Sequence, residues 1–470
     1  MQKIKNIAPY LIFAFFSTVV LAKPFGSGDE LWNYSFAKNI ADNMVPYRDF
    51  SIVQTPLSAY VPALFMALFG DGLFVHRVVG VFLLFAIIAL CYHLCKKLTG
   101  SGFVGFICAM LSACVCLPFY IYNYNYFSVL LILLIFEIET NEKQSPICRS
   151  VAVGLAVGAL LLVKQSTGAF LFAANLIICA LNVLKFKEGL KPQLLRAAAS
   201  LVPVCIFLIY MLSVGAFGDF LDYAVFGIST FVHRTGVLDM LAEVPFFCIY
   251  IALIAVAFFK MLKKAVKKEA ERHSVALMLF AAAWLFVTYP LFDAFHLVCI
   301  FFVLAPALCS FVKVQDYKPW EKSVCIIVVA FVSLVSAASF FEEAKGMVPS
   351  VLNNYERIPT EAEADERIGI VCEYIKRKKD EGYRVRIADD SAVAFKLPLD
   401  YYEKNWDMLL VGNLGMASVE DLLASEEDCL YMVRGTGELG SQSHFELIEY
   451  VKTNYEKVEE VLNFDVYRKP

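Results

Sequence analysis

Charge is scarce in this sequence. Asp, Glu, Lys and Arg make up 18% of 470 residues, where soluble chains carry about 25%. No CxxC pair is present, and no Cys/His spacing matches a zinc site, so the 14 cysteines do not announce a metal-bound framework. A glycine-rich phosphate loop and a DxD motif are also missing, which argues against a nucleotide donor. In place of charge there is hydrocarbon: 59% of residues are hydrophobic and mean hydropathy is +0.63.

The charge that exists is unevenly placed. Residues 341–470 carry 16 Lys+Arg against 27 Asp+Glu. That acidic tail speaks against nucleic acid as a partner. Residues 1–340 are long apolar runs broken by short polar ones. A bilayer core of about 30 Å needs roughly 20 apolar residues per helix. Candidate spans fall near 6–22, 73–95, 101–119, 122–139, 149–163, 166–184, 195–214, 243–262, 274–290, 293–312 and 322–340. The first resembles a signal peptide but lacks a clean small-x-small cleavage site, so it reads as a retained helix. The expected fold is a polytopic α-helical membrane protein of about 11 transmembrane helices (1–340), followed by a small extracytoplasmic α/β domain (341–470).

With the N-terminus in the cytoplasm, 19 cations fall inside and 6 outside, the latter being Lys23, Lys38, Arg48, Arg77, Lys164 and Arg234. The positive-inside rule favours this orientation and an odd number of spans. The tail is then outside the cytoplasm. The unusual polar residues Asp29, Glu30, Asp49, Gln54, Lys164, His233, Arg234, Asp293 and His296 share that outer side, as a site at one membrane face would require.

The outer loop 23–72 is the most informative. Trp32, Phe36, Ile40 and Met44 recur every four residues, the pattern of a helix lying in the interface. Residues 56–69 are apolar but too short to span, suggesting a second interfacial or re-entrant helix. Asp29 follows Gly26-Ser27-Gly28, where a helix cap and a functional acid are both consistent with the spacing. Two readings also fit Lys164, between two spans beside Ser166 and Thr167: a snorkelling lysine or a phosphate ligand. His233 and Arg234 are loop charges or, for the guanidinium fork of Arg234, phosphate donors. Asp293 and His296 stand three apart on one helical face, as a structural pair or as site residues. Tyr120, Tyr122, Tyr124 and Tyr126 read as an interface belt. Cysteines such as Cys108, Cys114 and Cys116 read as small buried hydrophobes. Cys372 and Cys429 are either a disulfide or two free thiols.

The string Gly28-Asp29-Glu30, then Pro46-Tyr47-Arg48-Asp49, then Pro56-Leu57-Ser58-Ala59-Tyr60, with Phe69-Gly70-Asp71 and Arg77, resembles the GT-C superfamily of integral-membrane glycosyltransferases. The likeness is to its family 39-like group, which includes protein O-mannosyltransferases and the lipid A aminoarabinose transferase. The resemblance covers roughly residues 24–97, and the hydropathy pattern extends it to about 312. It implies inverting transfer of a sugar from a polyprenyl-phosphate donor at the outer face, to an acceptor that is a glycan, a lipid or a protein. By position it puts an acid of base or acceptor-orienting role on Asp29, with Glu30 beside it, and leaves Asp49 as a candidate second acid. Lys164, Arg234, His233, Gln54 and His296 complete the expected substrate- and phosphate-binding set. No metal ligands are assigned; a divalent metal stays open. The competing class is a transporter or glycolipid flippase, which predicts mid-span ionisable residues and a repeat between halves; neither is evident.

Overall fold

Inside a bilayer each backbone N–H must find a partner within its own segment, so a run of apolar residues there becomes a helix. The computed structural model describes residues 2–25, 28–231, 241, 247–267, 270–289, 292–312, 319–388, 391–407, 409, 414–423, 428–435 and 444–470. Among the described residues, each of the eleven expected spans overlaps a helix. The first nine helices in chain order are α1 (Gln2–Thr18), α2 (Gly28–Ala41), α3 (Leu57–Phe69), α4 (Leu73–Thr99), α5 (Gly102–Cys116), α6 (Tyr124–Glu139), α7 (Pro146–Leu161), α8 (Gln165–Leu184) and α9 (Leu190–Ser213). The helices Phe247–Val266, Arg272–Trp284, Ile300–Cys309 and Pro319–Ala344 follow. Among the described residues, five helical segments are long and apolar enough to cross a membrane by themselves: Leu73–Thr99, Gly102–Phe119, Gln165–Leu184, Leu190–Ser213 and Lys322–Ala344.

The chain forms two compact units. The first holds residues 1–20, 79–209 and 234–343. Local chemistry starts its helices. Ser101 accepts the Val104 N–H, Asn123 accepts those of Asn125 and Tyr126, and Ser145 accepts that of Cys148 ahead of Pro146. These caps satisfy amides the first helical turn leaves open. Gly154 and Gly158 are four apart on α7, and a Cβ at either would collide with the backbone carbonyls of Arg196 or Ser200 on α9. Small residues at this spacing let two helices approach backbone to backbone.

The second unit joins residues 21–78, 210–233 and 344–470, so the loop 23–72 and the acidic tail share one core. Leu31, Tyr34 and Ala37 of α2 pack with Ala63 and Met66 of α3 and with Tyr355, Ile358, Val393 and Leu397 of the tail. The expected amphipathic stripe is therefore not the organising feature of α2. Asn33, Ser35, Lys38 and Asn39 on its polar side are buried too, because the tail covers the face that periodicity assigns to water. In α3, by contrast, Leu64, Leu68 and Phe69 are exposed, as a helix in the interface requires.

The tail carries a short antiparallel pair, β1 (Val348–Pro349) with β2 (Pro359–Thr360), and a four-stranded mixed sheet. In the latter β3 (Arg384–Ile387) runs parallel to β4 (Cys429–Arg434), which pairs antiparallel with β6 (Phe464–Arg468); β5 (Glu456–Val461) forms the far edge beside β6. The helices Ala362–Asp380 and Phe445–Asn454 accompany these strands and give the tail its mixed α/β character. Sequence reading places a further strand at 407–411; Asp407 and Leu409 are described and neither is in a strand, while 408 and 410–413, with the Gly412-Asn413 turn, lie outside the described residues. β5 escaped sequence reading because it is a charged edge, Glu456-Lys457-Val458-Glu459-Glu460, where charge blunts further pairing.

Candidate active site

In the second unit Asp29 and Glu30 occupy the first turn of α2, where the helix dipole favours negative charge. The helix already includes Gly28, so Asp29 sits within the first turn and not at the cap. Its carboxylate is part-exposed, and its carbonyl accepts the Asn33 side-chain amide at 2.7 Å. Glu30 is only 4% exposed. Arg77, from the start of α4, donates to both its oxygens, Nε to Oε1 at 2.9 Å and Nη2 to Oε2 at 2.8 Å. The same guanidinium donates to the carbonyls of Lys23 and Pro24. Burial pushes the Glu30 carboxyl up, but the adjacent guanidinium outweighs it and holds the group below the ordinary carboxylate range. The two neighbouring acids thus differ in burial: Glu30 is locked in a buried bidentate pair and Asp29 is partly exposed.

The Pro-Tyr-Arg-Asp turn is built around Asp49. Arg48 donates to both its oxygens at 2.8 Å, and the Val45 N–H to Oδ2 at 2.7 Å; the Arg48 hydrogen bonds, against partial burial, hold its carboxyl below the ordinary range. Tyr47, buried with φ of 71°, donates from its hydroxyl to the Gln54 carbonyl at 3.0 Å, so the turn and Gln54 are one local structure.

Lys38, which sequence reading counts only as an outer cation, lies 2% exposed against three carboxylates: Asp71 at 2.6 Å, Asp400 at 3.0 Å and Asp42 at 3.2 Å. Asn354 braces Asp400 at 2.8 Å. Burial works against the Lys38 charge, yet Asp71, Tyr402 and Asp400 hold its ammonium above the ordinary lysine range. Asp71 is in turn held low, the Lys38 ammonium overcoming its partial burial.

In the first unit the break between α7 and α8 presents Lys164, 8% exposed. Its Nζ donates to Asn125 Oδ1 at 3.2 Å and to the Val287 carbonyl at 3.1 Å, and lies 5.3 Å from the centre of the Tyr124 ring. A snorkelling lysine would send its amine outward along the helix end; this one points into the helix bundle. Asp293 caps the turn Ala294–Val298 by accepting the His296 N–H at 2.8 Å, and its carboxylate also meets His296 Nδ1 at 2.8 Å. Lys164 is near enough to act electrostatically on Asp293. Lys164, His296 and Asp293 thus gather at one end of the bundle, with the side-chain amide nitrogen of Asn125 and the Thr167 hydroxyl buried beside them. His233 and Arg234 lie outside the described residues.

The tyrosine ladder is not an interface belt. Tyr120, Tyr122 and Tyr126 are buried; Tyr120 donates to the Gly80 carbonyl at 2.6 Å, and its ring packs on Tyr126 at 4.6 Å. A belt tyrosine keeps its hydroxyl at the headgroups, whereas these seal helix against helix. Arg149, Arg196 and Arg272, counted by sequence as charges of the inner side, converge on buried Glu139 and on Glu188. Cys95, Cys108 and Cys309 bring their sulfurs within 4.8 Å of one another. Three such thiols could ligate a thiophilic ion or pack as small hydrophobes. They come from three separate helices, so no spacing announced them. Cys372 and Cys429 are both buried free thiols.

The whole architecture has solved counterparts. Superposed on the crystal structure of ArnT from Cupriavidus metallidurans bound to undecaprenyl phosphate, the chain gives a TM-score of 0.56 at 11% identity, covering 99% of this chain and 98% of that one. This chain has the fold of ArnT. The apo structure of ArnT gives 0.58 at 12% identity with the same coverage. The likeness to ArnT includes the tail, for which the sequence carries no family motif. It gives the chain the fold of a multi-pass membrane protein, as the hydropathy pattern implied. No protein-family model and no curated protein matches the sequence.

Proposed function

We propose that this chain is a glycosyltransferase that moves a sugar from a polyprenyl-phosphate carrier to an acceptor hydroxyl at the outer membrane face. The observation that carries the reading is the fold likeness, over the whole length, to ArnT crystallised with undecaprenyl phosphate. The cation asymmetry of 19 to 6 supports a cytoplasmic N-terminus and an outer tail. A sugar on a lipid phosphate is already activated, since the phosphate leaves readily. The enzyme then needs a base, cations for the charge that develops, and in-line placement.

In this proposal the Asp29 carboxylate takes the proton of the acceptor hydroxyl. The acceptor oxygen attacks the anomeric carbon, the bond from that carbon to the phosphate oxygen breaks, and the phosphate departs with the electron pair. Attack opposite the leaving group inverts the anomeric centre. Lys164, with Arg234, meets the phosphate charge; His233, His296, Asp49 and Gln54 serve the substrate-binding surface. Glu30 acts with Arg77 to hold the first turn of α2, and through it Asp29.

The deciding experiment is transfer by the purified, reconstituted chain from a labelled polyprenyl-phosphate sugar, with Asp29→Asn as the variant. The variant is expected to melt as wild type does and to lose transfer by at least about 100-fold, the lower end of the range for removing a base. Near wild-type turnover would remove Asp29 from the role.

A further inference from the structure

The helix Phe247–Val266 is apolar along most of its length, then turns basic. Lys260, Lys263, Lys264 and Lys267 stand at positions i, i+3, i+4 and i+7, which are one face of a helix. The Lys267 N–H still donates to the Lys263 carbonyl, so the helical register holds through all four. Together they rise about 10 Å along the axis. They line a cavity of about 330 Å3 whose other wall is Leu308, Phe311 and Val312. The Lys264 amine donates to the Phe311 carbonyl. Among the described residues no carboxylate pairs with any of the four.

Like charges at this spacing repel across a helix face; the helix C-terminus and the Phe311 carbonyl offset part of that charge, and no described carboxylate neutralises the rest. The ladder also borders lipid. Phe259, Leu262 and Val266, each next to a ladder lysine in sequence, are exposed, and exposed apolar side chains on a membrane helix face acyl chains. A lysine is a flexible point charge suited to phosphate oxygens, and a basic pocket beside a membrane helix accepts lipid headgroups. We infer that the cavity lined by Lys260, Lys263, Lys264 and Lys267 binds the headgroup phosphate of an anionic phospholipid. A phospholipid fits better than a free anion because the apolar wall and the lipid-facing stripe give its acyl chains a path alongside its headgroup. On the sidedness expected from the sequence, the ladder faces the cytoplasmic leaflet, where anionic headgroups supply its counter-charge. This inference does not depend on the glycosyl-transfer reading.

The test uses the full chain in nanodiscs of phosphatidylcholine containing phosphatidylglycerol, with retained lipids counted by native mass spectrometry. Wild type is expected to retain phosphatidylglycerol several-fold over its share in the disc. The Lys260→Gln/Lys263→Gln/Lys264→Gln/Lys267→Gln variant should fall to that share, while melting normally in pure phosphatidylcholine. Lys185→Gln/Lys187→Gln/Lys191→Gln, which removes a basic cluster elsewhere, should retain phosphatidylglycerol as wild type does. If the quadruple variant does not fold, the single exposed Lys263→Glu replaces it and should lower retention at least twofold. Unchanged retention by a folded ladder variant would overturn the inference. So would saturable, ladder-dependent binding of inorganic phosphate in phosphatidylcholine discs that abolishes phosphatidylglycerol enrichment, which marks a free-anion site.

Discussion

Arg77 holds Glu30 by both carboxylate oxygens, at 2.9 and 2.8 Å, with the two side chains 1% and 5% exposed. The partners are 47 residues apart. Through this pair the base of α4 fixes the turn that carries Asp29.

Removing one partner of a buried ion pair strands the other charge at a cost of about 3–5 kcal/mol. Glu30→Gln and Arg77→Gln should each lower the melting temperature in detergent strongly. The double variant should cost much less than their sum, because neither charge is left alone. Additive losses would mean that the two residues do not act as a unit. In the transfer assay Glu30→Asp, which keeps the charge on a shorter arm, should retain more activity than Glu30→Gln.

Lys164 offers a separate test of the phosphate role. Lys164→Met should keep the spans folded and weaken the lipid-linked donor about tenfold in KM, the effect of losing one charge-assisted contact of about 1.4 kcal/mol. Lys164→Arg should recover part of that loss. Donor affinity equal to wild type in Lys164→Met would leave the amine as a packing group.

Lys38 pins the loop 23–72 to the tail within the second unit. Lys38→Met leaves three acids facing one another. Because Asp71 and Asp400 are about half exposed, the expected cost is discounted to about 2 kcal/mol. The Asp71 carboxyl is held below its ordinary value, so its stabilising share is present above the ordinary carboxylate range and is lost as pH falls through the lowered value. The Lys38 share is present at and below neutral pH and goes only in strong alkali. The melting gap between wild type and Lys38→Met should therefore be widest near neutral pH and narrow below about pH 4. A gap independent of pH would argue that Lys38 contributes packing alone.

Asp407 has the opposite sign. Burial pushes its carboxyl up to about 6 against the pull of Lys396, 3.3 Å away. A raised acid binds its proton more tightly in the folded state, so stability falls as pH rises from about 4 to about 6 and stays lower above. Asp407→Asn, which can still accept the Glu403 N–H, should raise the melting temperature at pH 7.5 by the equivalent of on the order of 2 kcal/mol. The gain should vanish below pH 4. A loss of stability at pH 7.5 would contradict this assignment.

Much of the fold was legible from local pattern. Hydropathy located every expected span, because a bilayer offers the backbone no partner except its own helix. Lys164 and Lys185 mark the two ends of α8 as breaks in apolar runs. The candidate acids were legible as a motif. Their different surroundings were not, since Glu30 and Asp29 look alike until Arg77 arrives from another helix.

By itself, then, the sequence determined the membrane class, the positions of the helices, the mixed α/β character of the tail and the residues worth testing. All of these follow from interactions within a few residues of the chain. Only the tertiary structure decided that the tail shares a core with the loop 23–72, that Lys38 and Glu30 are buried in ion pairs, that the tyrosines seal helices, and that the Lys164 amine turns inward. Each of those depends on which distant residue supplies the opposite charge, the carbonyl or the apolar surface. Spacing along the chain carries no record of that choice.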